Sequence, residues 1–93
     1  MSKNDLTAAV TLLTGRVPMG AEILAFSIVQ DSERRSTGYA LAYLPDNRVT
    51  PYVTWKFTPG KQRHRGFYLG HYLTDLGEAQ RDYVSRVRAA LFR

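Results

Sequence analysis

Residues 51–73 have the sequence PYVTWKFTPGKQRHRGFYLGHYL, in which two aromatic-rich runs flank a polar segment. The runs 51–58 and 67–73 are rich in valine, threonine and aromatic residues, the types that fit a pleated strand. Pro59 and Gly60 open the intervening segment, and both are typical of turns. Because so short a connection joins antiparallel strands, this stretch predicts a β-hairpin.

Two further strands are predicted upstream of the hairpin. Residues 22–30 and 37–44 form apolar runs that are separated by the polar segment 31–35. Pro45, Asp46 and Asn47 then make a strong turn signal, since each residue type favours a different turn position. Short connections throughout favour a meander in which consecutive strands are neighbours.

A helix is predicted at each end of the chain. Over residues 3–14 the apolar side chains follow the i, i+3, i+4, i+7 spacing of one helical face. Asp75 and Glu78 have the spacing of a capping box before a C-terminal helix. The apolar stripe of that helix contains Leu76, Ala79, Tyr83, Val87, Ala90 and Leu91. We therefore predict a single α+β domain over residues 1–93: a four-stranded antiparallel meander with both helices packed on one face, in the order α-β-β-β-β-α.

The positive charge of the chain is local. Thirteen Lys and Arg residues against 8 Asp and Glu give a formal net charge of +5. Between Asn47 and Thr74 there is no acidic residue, and the basic residues in this stretch are Arg48, Lys56, Lys61, Arg63 and Arg65. Such a local field steers anionic partners more than a diffuse excess does.

Strict alternation along the two hairpin strands sorts their side chains onto two faces. One set is apolar apart from a histidine: Val53, Trp55 and Phe57 on the first strand, and Phe67, Leu69, His71 and Leu73 on the second. We expect this set to face the helices, with His71 partly buried. The outer face would then carry Tyr52, Lys56, Tyr68 and Tyr72, with Tyr39 and Tyr43 beside them.

Tyrosines beside cations are typical of surfaces that bind single-stranded nucleic acid. The predicted binding residues are Arg48, Tyr52, Lys56, Lys61, Arg63, His64, Arg65, Tyr68 and Tyr72. The leading hypothesis is a non-enzymatic protein that engages nucleic acid or a nucleoprotein complex. Tyrosine and arginine also dominate protein interfaces, so a protein-binding inhibitor or regulator is the alternative. A homodimer through an exposed strand edge is a further possibility for this fold.

No catalytic or metal motif is found in the sequence. There is no cysteine, and His64 and His71 are spaced so that on one strand they would face opposite sides and not share a metal. Gly60 and Lys61 lack the rest of a phosphate-binding loop. We therefore expect a protein that is not an enzyme and that holds no cofactor and no metal. An enzyme whose site the sequence does not identify is the third hypothesis, ranked below the two binding functions.

The sequence predicts a cytoplasmic protein. The longest apolar run, residues 21–29, is interrupted by Glu22 and Ser27 and is too short to span a bilayer. The first residues lack the apolar core of a secretory signal, and the absence of cysteine suits a reducing compartment. No membrane partner is expected.

Two segments carry a resemblance to a known group of proteins. Residues 51–55, PYVTW, and residues 66–79, GFYLGHYLTDLGEA, resemble short uncharacterised proteins of bacterial phages, plasmids and other mobile elements. The resemblance covers the C-terminal half of the chain. It implies a bacterial cytosolic setting and accessory roles such as regulation, nucleic-acid handling or inhibition of a host defence complex, and it assigns no catalytic residue.

Overall fold

The computed structural model describes residues 13, 17–30, 33, 35–59 and 66–92. A 3-10 turn at Pro18–Gly20 is followed by a single sheet and then by one helix, α1. The elements are β1 (Glu22–Gln30), β2 (Ser36–Tyr43), β3 (Tyr52–Phe57), β4 (Phe67–Leu73) and α1 (Leu76–Leu91). The strands pair antiparallel in the order β1-β2-β3-β4, which confirms the predicted meander. The predicted N-terminal helix lies outside the described residues, except for Leu13.

The hydrophobic core lies on the sheet face that carries Val53, Trp55 and Phe57. Leu13 belongs to this core, and Val17 and Ala21 pack against it. The rings of Trp55 and Phe67 are 5.2 Å apart between centroids, a tilted contact typical of aromatic pairs. Burying side chains of this size stabilises the fold by about 1.5–3 kcal/mol each.

Helix α1 covers the opposite face of the sheet, so the predicted packing of the C-terminal helix on Val53, Trp55 and Phe57 is wrong. Asp82 and Arg86 of α1 hydrogen-bond to Thr54, whose side chain points away from that apolar set. Tyr83 of α1 bonds to Ser27 of β1 on the same face. Strand β2 is thus covered on both sides, which explains its continuous apolar run.

A β-bulge in β4 changes which side chains share a face. Thr54 pairs with His71 and Lys56 pairs with Tyr68, so Leu69 and Gly70 together stand opposite Trp55. Leu69 has a φ of 50°, in the left-handed region that non-glycine residues seldom adopt. Beyond the bulge the alternation is shifted by one residue. His71 therefore lies on the α1 face, and Tyr72, which pairs with Val53, lies on the core face.

Asp75 caps the N-terminus of α1, which confirms the Asp75 half of the predicted capping box. Its Oδ1 accepts a hydrogen bond of 2.8 Å from the backbone N–H of Glu78. The Glu78 carboxylate in turn accepts from the Thr74 hydroxyl at 2.8 Å. In the part of the chain that the structure describes, no helix is both long and apolar enough to cross a membrane.

Replacing Asp75 by alanine is expected to lower the free energy of unfolding by about 1 kcal/mol, because the Glu78 N–H loses its acceptor. Asp75→Asn retains an acceptor oxygen and is expected to lose less. Urea denaturation followed by Trp55 fluorescence measures both. Equal losses in the two variants would show that the cap contributes through its charge and not through this hydrogen bond.

Candidate functional site on the hairpin

The structure brings Lys56 and Tyr68 together at the closing end of the hairpin. They stand directly opposite each other on β3 and β4, with Tyr39 opposite Lys56 on β2. The Lys56 ammonium lies 5.8 Å from the centroid of the Tyr39 ring, within the range of a cation–π contact. Tyr39 is buried, whereas Tyr68 keeps 40% of its surface exposed. We call Tyr39, Lys56 and Tyr68 the basic aromatic cluster.

The basic loop of the sequence starts and ends beside this cluster. Thr58 donates its backbone N–H to the carbonyl of Gly66 at 3.0 Å, which closes the hairpin ladder. Arg65 directly precedes Gly66 in the chain, and Lys61 follows Thr58 by three residues. The loop residues of the predicted site, Lys61, Arg63, His64 and Arg65, lie outside the described residues.

Three other predicted site residues lie away from the basic aromatic cluster. Arg48 is in the turn before β3, at the opposite end of that strand from the basic loop. Tyr52 begins β3 at the same far end, where the centroid of its ring lies 5.6 Å from that of the Tyr43 ring. Tyr72 lies on the core face because of the bulge, and its hydroxyl donates to the Met19 sulfur at 3.7 Å. Tyr52, Lys56 and Tyr68 do share one face, but this face is the one that α1 covers and not the helix-free outer face that was predicted, and Tyr72 lies on the other face.

A polar network that the sequence did not predict joins α1 to the sheet next to the cluster. The Thr54 hydroxyl donates to Asp82, and both carboxylate oxygens of Asp82 lie 3.0 Å from His71 Nδ1. Because an ionised carboxylate only accepts hydrogen bonds, Nδ1 carries a proton in this pairing, and Nε2 takes no part in the bond to Asp82. We call Thr54, His71, Asp82 and Arg86 the polar network.

Arg86 attaches the network to both strands of the hairpin. Its Nη1 donates to the carbonyl of Thr54 at 3.0 Å and to the Thr54 hydroxyl at 3.1 Å. Its Nη2 donates to the carbonyl of Leu69, the bulge residue, at 2.8 Å. The side chain of Thr54 is almost fully buried, so these bonds satisfy polar groups that would otherwise be costly to bury.

The structure corrects the expectation for His71. It was predicted on the apolar face that meets the core, partly buried among leucines. Instead it lies on the α1 face, and its side chain is 51% exposed and paired with Asp82. The sequence does contain a signal for this pairing: Asp82 and Arg86 are four residues apart on the α1 face that carries the buried Ala79, and Thr54 interrupts an apolar strand.

A cleft of about 290 Å³ opens between α1 and the hairpin strands at this point. Lys56, His71 and Arg86 contribute its polar lining. Tyr39, Leu69 and the small side chains of Ala89 and Ala90 contribute the rest of the described lining. The cleft therefore connects the basic aromatic cluster with the polar network.

Two larger depressions lie elsewhere on the molecule. One of about 530 Å³ follows the outward side of α1 along Gln80, Val84 and Arg88. Another of about 610 Å³ lies at the turn between β2 and β3, near Arg48 and Val49. Neither brings together cations and an aromatic ring among its described lining residues as the 290 Å³ cleft does, so the candidate site is placed at the cleft and the cluster.

Comparison with protein-family models, curated proteins and solved structures finds no match to this chain.

Proposed function

We propose that the protein is a non-enzymatic binding protein that engages nucleic acid, alone or in a nucleoprotein complex, through the basic aromatic cluster and the adjoining loop. The observation that carries the proposal is the cross-strand pairing of Lys56 with the half-exposed Tyr68, directly beside the point where the basic loop leaves the sheet.

The chemistry of this surface suits a single strand more than a duplex. An exposed tyrosine offers a flat face on which an unpaired base stacks, and stacking contributes about 1–3 kcal/mol per base. Lys56 and the cations Lys61, Arg63 and Arg65 supply contacts for phosphates. Bases in a duplex are already stacked, so their faces are not available to Tyr68.

Fluorescence anisotropy with a labelled single strand and with a duplex of equal length, each at two salt concentrations, tests the proposal. We expect the single strand to bind more tightly, and its affinity to fall log-linearly with salt. In the triple variant Lys61→Gln, Arg63→Gln, Arg65→Gln, each lost phosphate contact is expected to reduce the salt slope by about 0.7. Tyr68→Ala is expected to weaken binding roughly five- to hundredfold, and Tyr68→Phe to preserve it.

Arg88→Gln is the matched control for the single loop substitution Arg63→Gln, because Arg88 lies along the outward side of α1 and each substitution removes one positive charge. This variant is expected to bind like the wild type. No binding of either oligonucleotide at low salt would refute the proposal. Equal weakening by Arg88→Gln and by a single loop substitution would show that only the overall charge matters.

A second candidate function is that of a protein-binding inhibitor or regulator, the role that the mobile-element resemblance implies. The apolar residues exposed on the C-terminal half of α1 and at its end favour this function, since Val84, Leu91 and Phe92 are 49%, 57% and 79% exposed. Salt dependence separates the two functions: an apolar protein contact persists at high salt, whereas phosphate contacts weaken steeply.

Homodimer formation through β1 or β4, the two edges of the sheet, is checked by sedimentation equilibrium.

A further inference from the structure

The cleft between α1 and the hairpin has the composition of an anion-binding site. Lys56 and Arg86 line it with fixed positive charge, and His71 adds a ring whose Nε2 is left open by the bond of Nδ1 to Asp82. Among the described residues that line the cleft there is no carboxylate. The Asp82 carboxylate is bonded to His71 Nδ1 and is not part of the described lining. The hydrogen bonds that it accepts from Thr54 and His71 partly offset its negative charge.

Arg86 is held in place before any ligand arrives. Its hydrogen bonds to Thr54 and to the Leu69 carbonyl fix the plane of the guanidinium against the sheet. A guanidinium carries five N–H donors, so these three bonds leave donors for a ligand. Because a fixed donor loses little conformational entropy on binding, this arrangement favours a compact anion such as a phosphate.

The volume of the cleft and the residues that line it indicate which class of ligand it can bind. A volume of about 290 Å³ is just below the range of roughly 300–1,000 Å³ for small-molecule sites, so only a small ligand fits. Tyr39, Ala89 and Ala90 form an apolar wall beside the cations. A group that is anionic at one end and flat or apolar at the other fits this lining, and one nucleotide unit has that form.

We infer that the cleft binds one nucleotide unit of the engaged strand by its phosphate, and so anchors the strand beside Tyr68. This inference rests on the proposed function and adds a subsite to it. The phosphate lies between Lys56, Arg86 and His71, while the sugar and base lie along Tyr39 and the two alanines. The next base of the strand is then in position to stack on Tyr68, which stands opposite Lys56.

Adenosine monophosphate and adenosine are the probes that test the cleft separately from the hairpin loop. In a titration of the ¹⁵N-labelled protein we expect the monophosphate to shift the amide signals of Lys56, Leu69 and His71, and adenosine to leave them unchanged. The monophosphate is also expected to displace a labelled single strand. Lys56→Gln and His71→Gln are each expected to weaken monophosphate binding about fivefold, and Arg88→Gln to leave it unchanged.

The outcomes separate this inference from the proposed function. A strand that binds while the monophosphate shifts none of the cleft residues, or shifts only residues of the loop, would refute the nucleotide subsite and leave the proposed function standing. A shift of the cleft residues by adenosine equal to that by the monophosphate would refute the role of the phosphate. Cleft binding of the monophosphate without any strand binding would refute both the proposed function and the role of the cleft as its subsite.

Discussion

Replacing Arg86 by methionine is expected to lower the free energy of unfolding by about 2–4 kcal/mol. Methionine keeps an unbranched stem but lacks the guanidinium, so it removes all three hydrogen bonds to Thr54 and Leu69. Hydrogen bonds from charged donors contribute about 1.5–3 kcal/mol each, and these three are not additive because they share one guanidinium. The Leu69 carbonyl of the bulge would also lose its partner.

Urea denaturation measures this prediction, with Arg88→Met as the matched control. Arg88 lies two residues further along α1 and is exposed, so its substitution is expected to change the free energy of unfolding by less than about 0.5 kcal/mol. Arg86→Lys is expected to recover only part of the loss, because one ammonium does not reproduce the planar fork that spans both strands. Similar losses for Arg86→Met and Arg88→Met would contradict this role of Arg86.

The strands were predictable because their signals are local. The predicted bounds of β1 and β4 agree with the structure, and β2 differs by one residue at each end. Runs of valine, aromatic and threonine residues between Pro, Asp and Asn turns decide where a strand begins and ends without reference to the rest of the chain. The cap at Asp75 is local in the same sense, since Asp75 and Glu78 are three residues apart.

The assignment of side chains to the two faces of the sheet was less predictable, because it depends on the bulge at Leu69. Alternation predicts Tyr68 and Tyr72 on one face, and it holds only up to the bulge at Leu69. A leucine with a φ of 50° has no distinctive sequence signal, although Gly70 next to it is typical of bulges. Lys56 and Tyr68 share a face as predicted because both lie on the turn side of the bulge, whereas Tyr72 lies beyond it.

The position of α1 was predicted wrongly because its contact with the sheet is partly polar. The prediction assumed that the most apolar strand faces would meet the helix. Thr54, Asp82 and Arg86 instead form hydrogen bonds across that contact, and each residue alone resembles an ordinary polar surface residue in the sequence. The spacing of Asp82 and Arg86 indicates that they share a face of α1, but it does not show that Thr54 is their partner across the contact. The cleft beside them was for that reason absent from the predicted site.

Replacing Gly38 by alanine is expected to lower the free energy of unfolding by about 1–3 kcal/mol, through overpacking in the core. Gly38 stands opposite Phe57, and an added Cβ would lie 2.2 Å from Cζ of that ring, far inside van der Waals contact. Phe57 is fully buried and packs against Phe67, with ring centroids 5.8 Å apart, so the ring has little room to move. The φ of Gly38 is not positive, so the need for glycine is steric.

A double-mutant cycle with Phe57→Leu tests this steric cause. Leucine lacks the far ring atoms that the new Cβ would strike, so the double variant is expected to be more stable than the sum of the two single losses predicts, by about 0.5–3 kcal/mol. Urea denaturation of the wild type, both single variants and the double variant provides the four free energies of unfolding. Additive losses would show that Gly38 is required for a reason other than the Phe57 ring. A coupling of the expected sign would instead show that the Phe57 ring packs directly on the β2 backbone because Gly38 has no side chain.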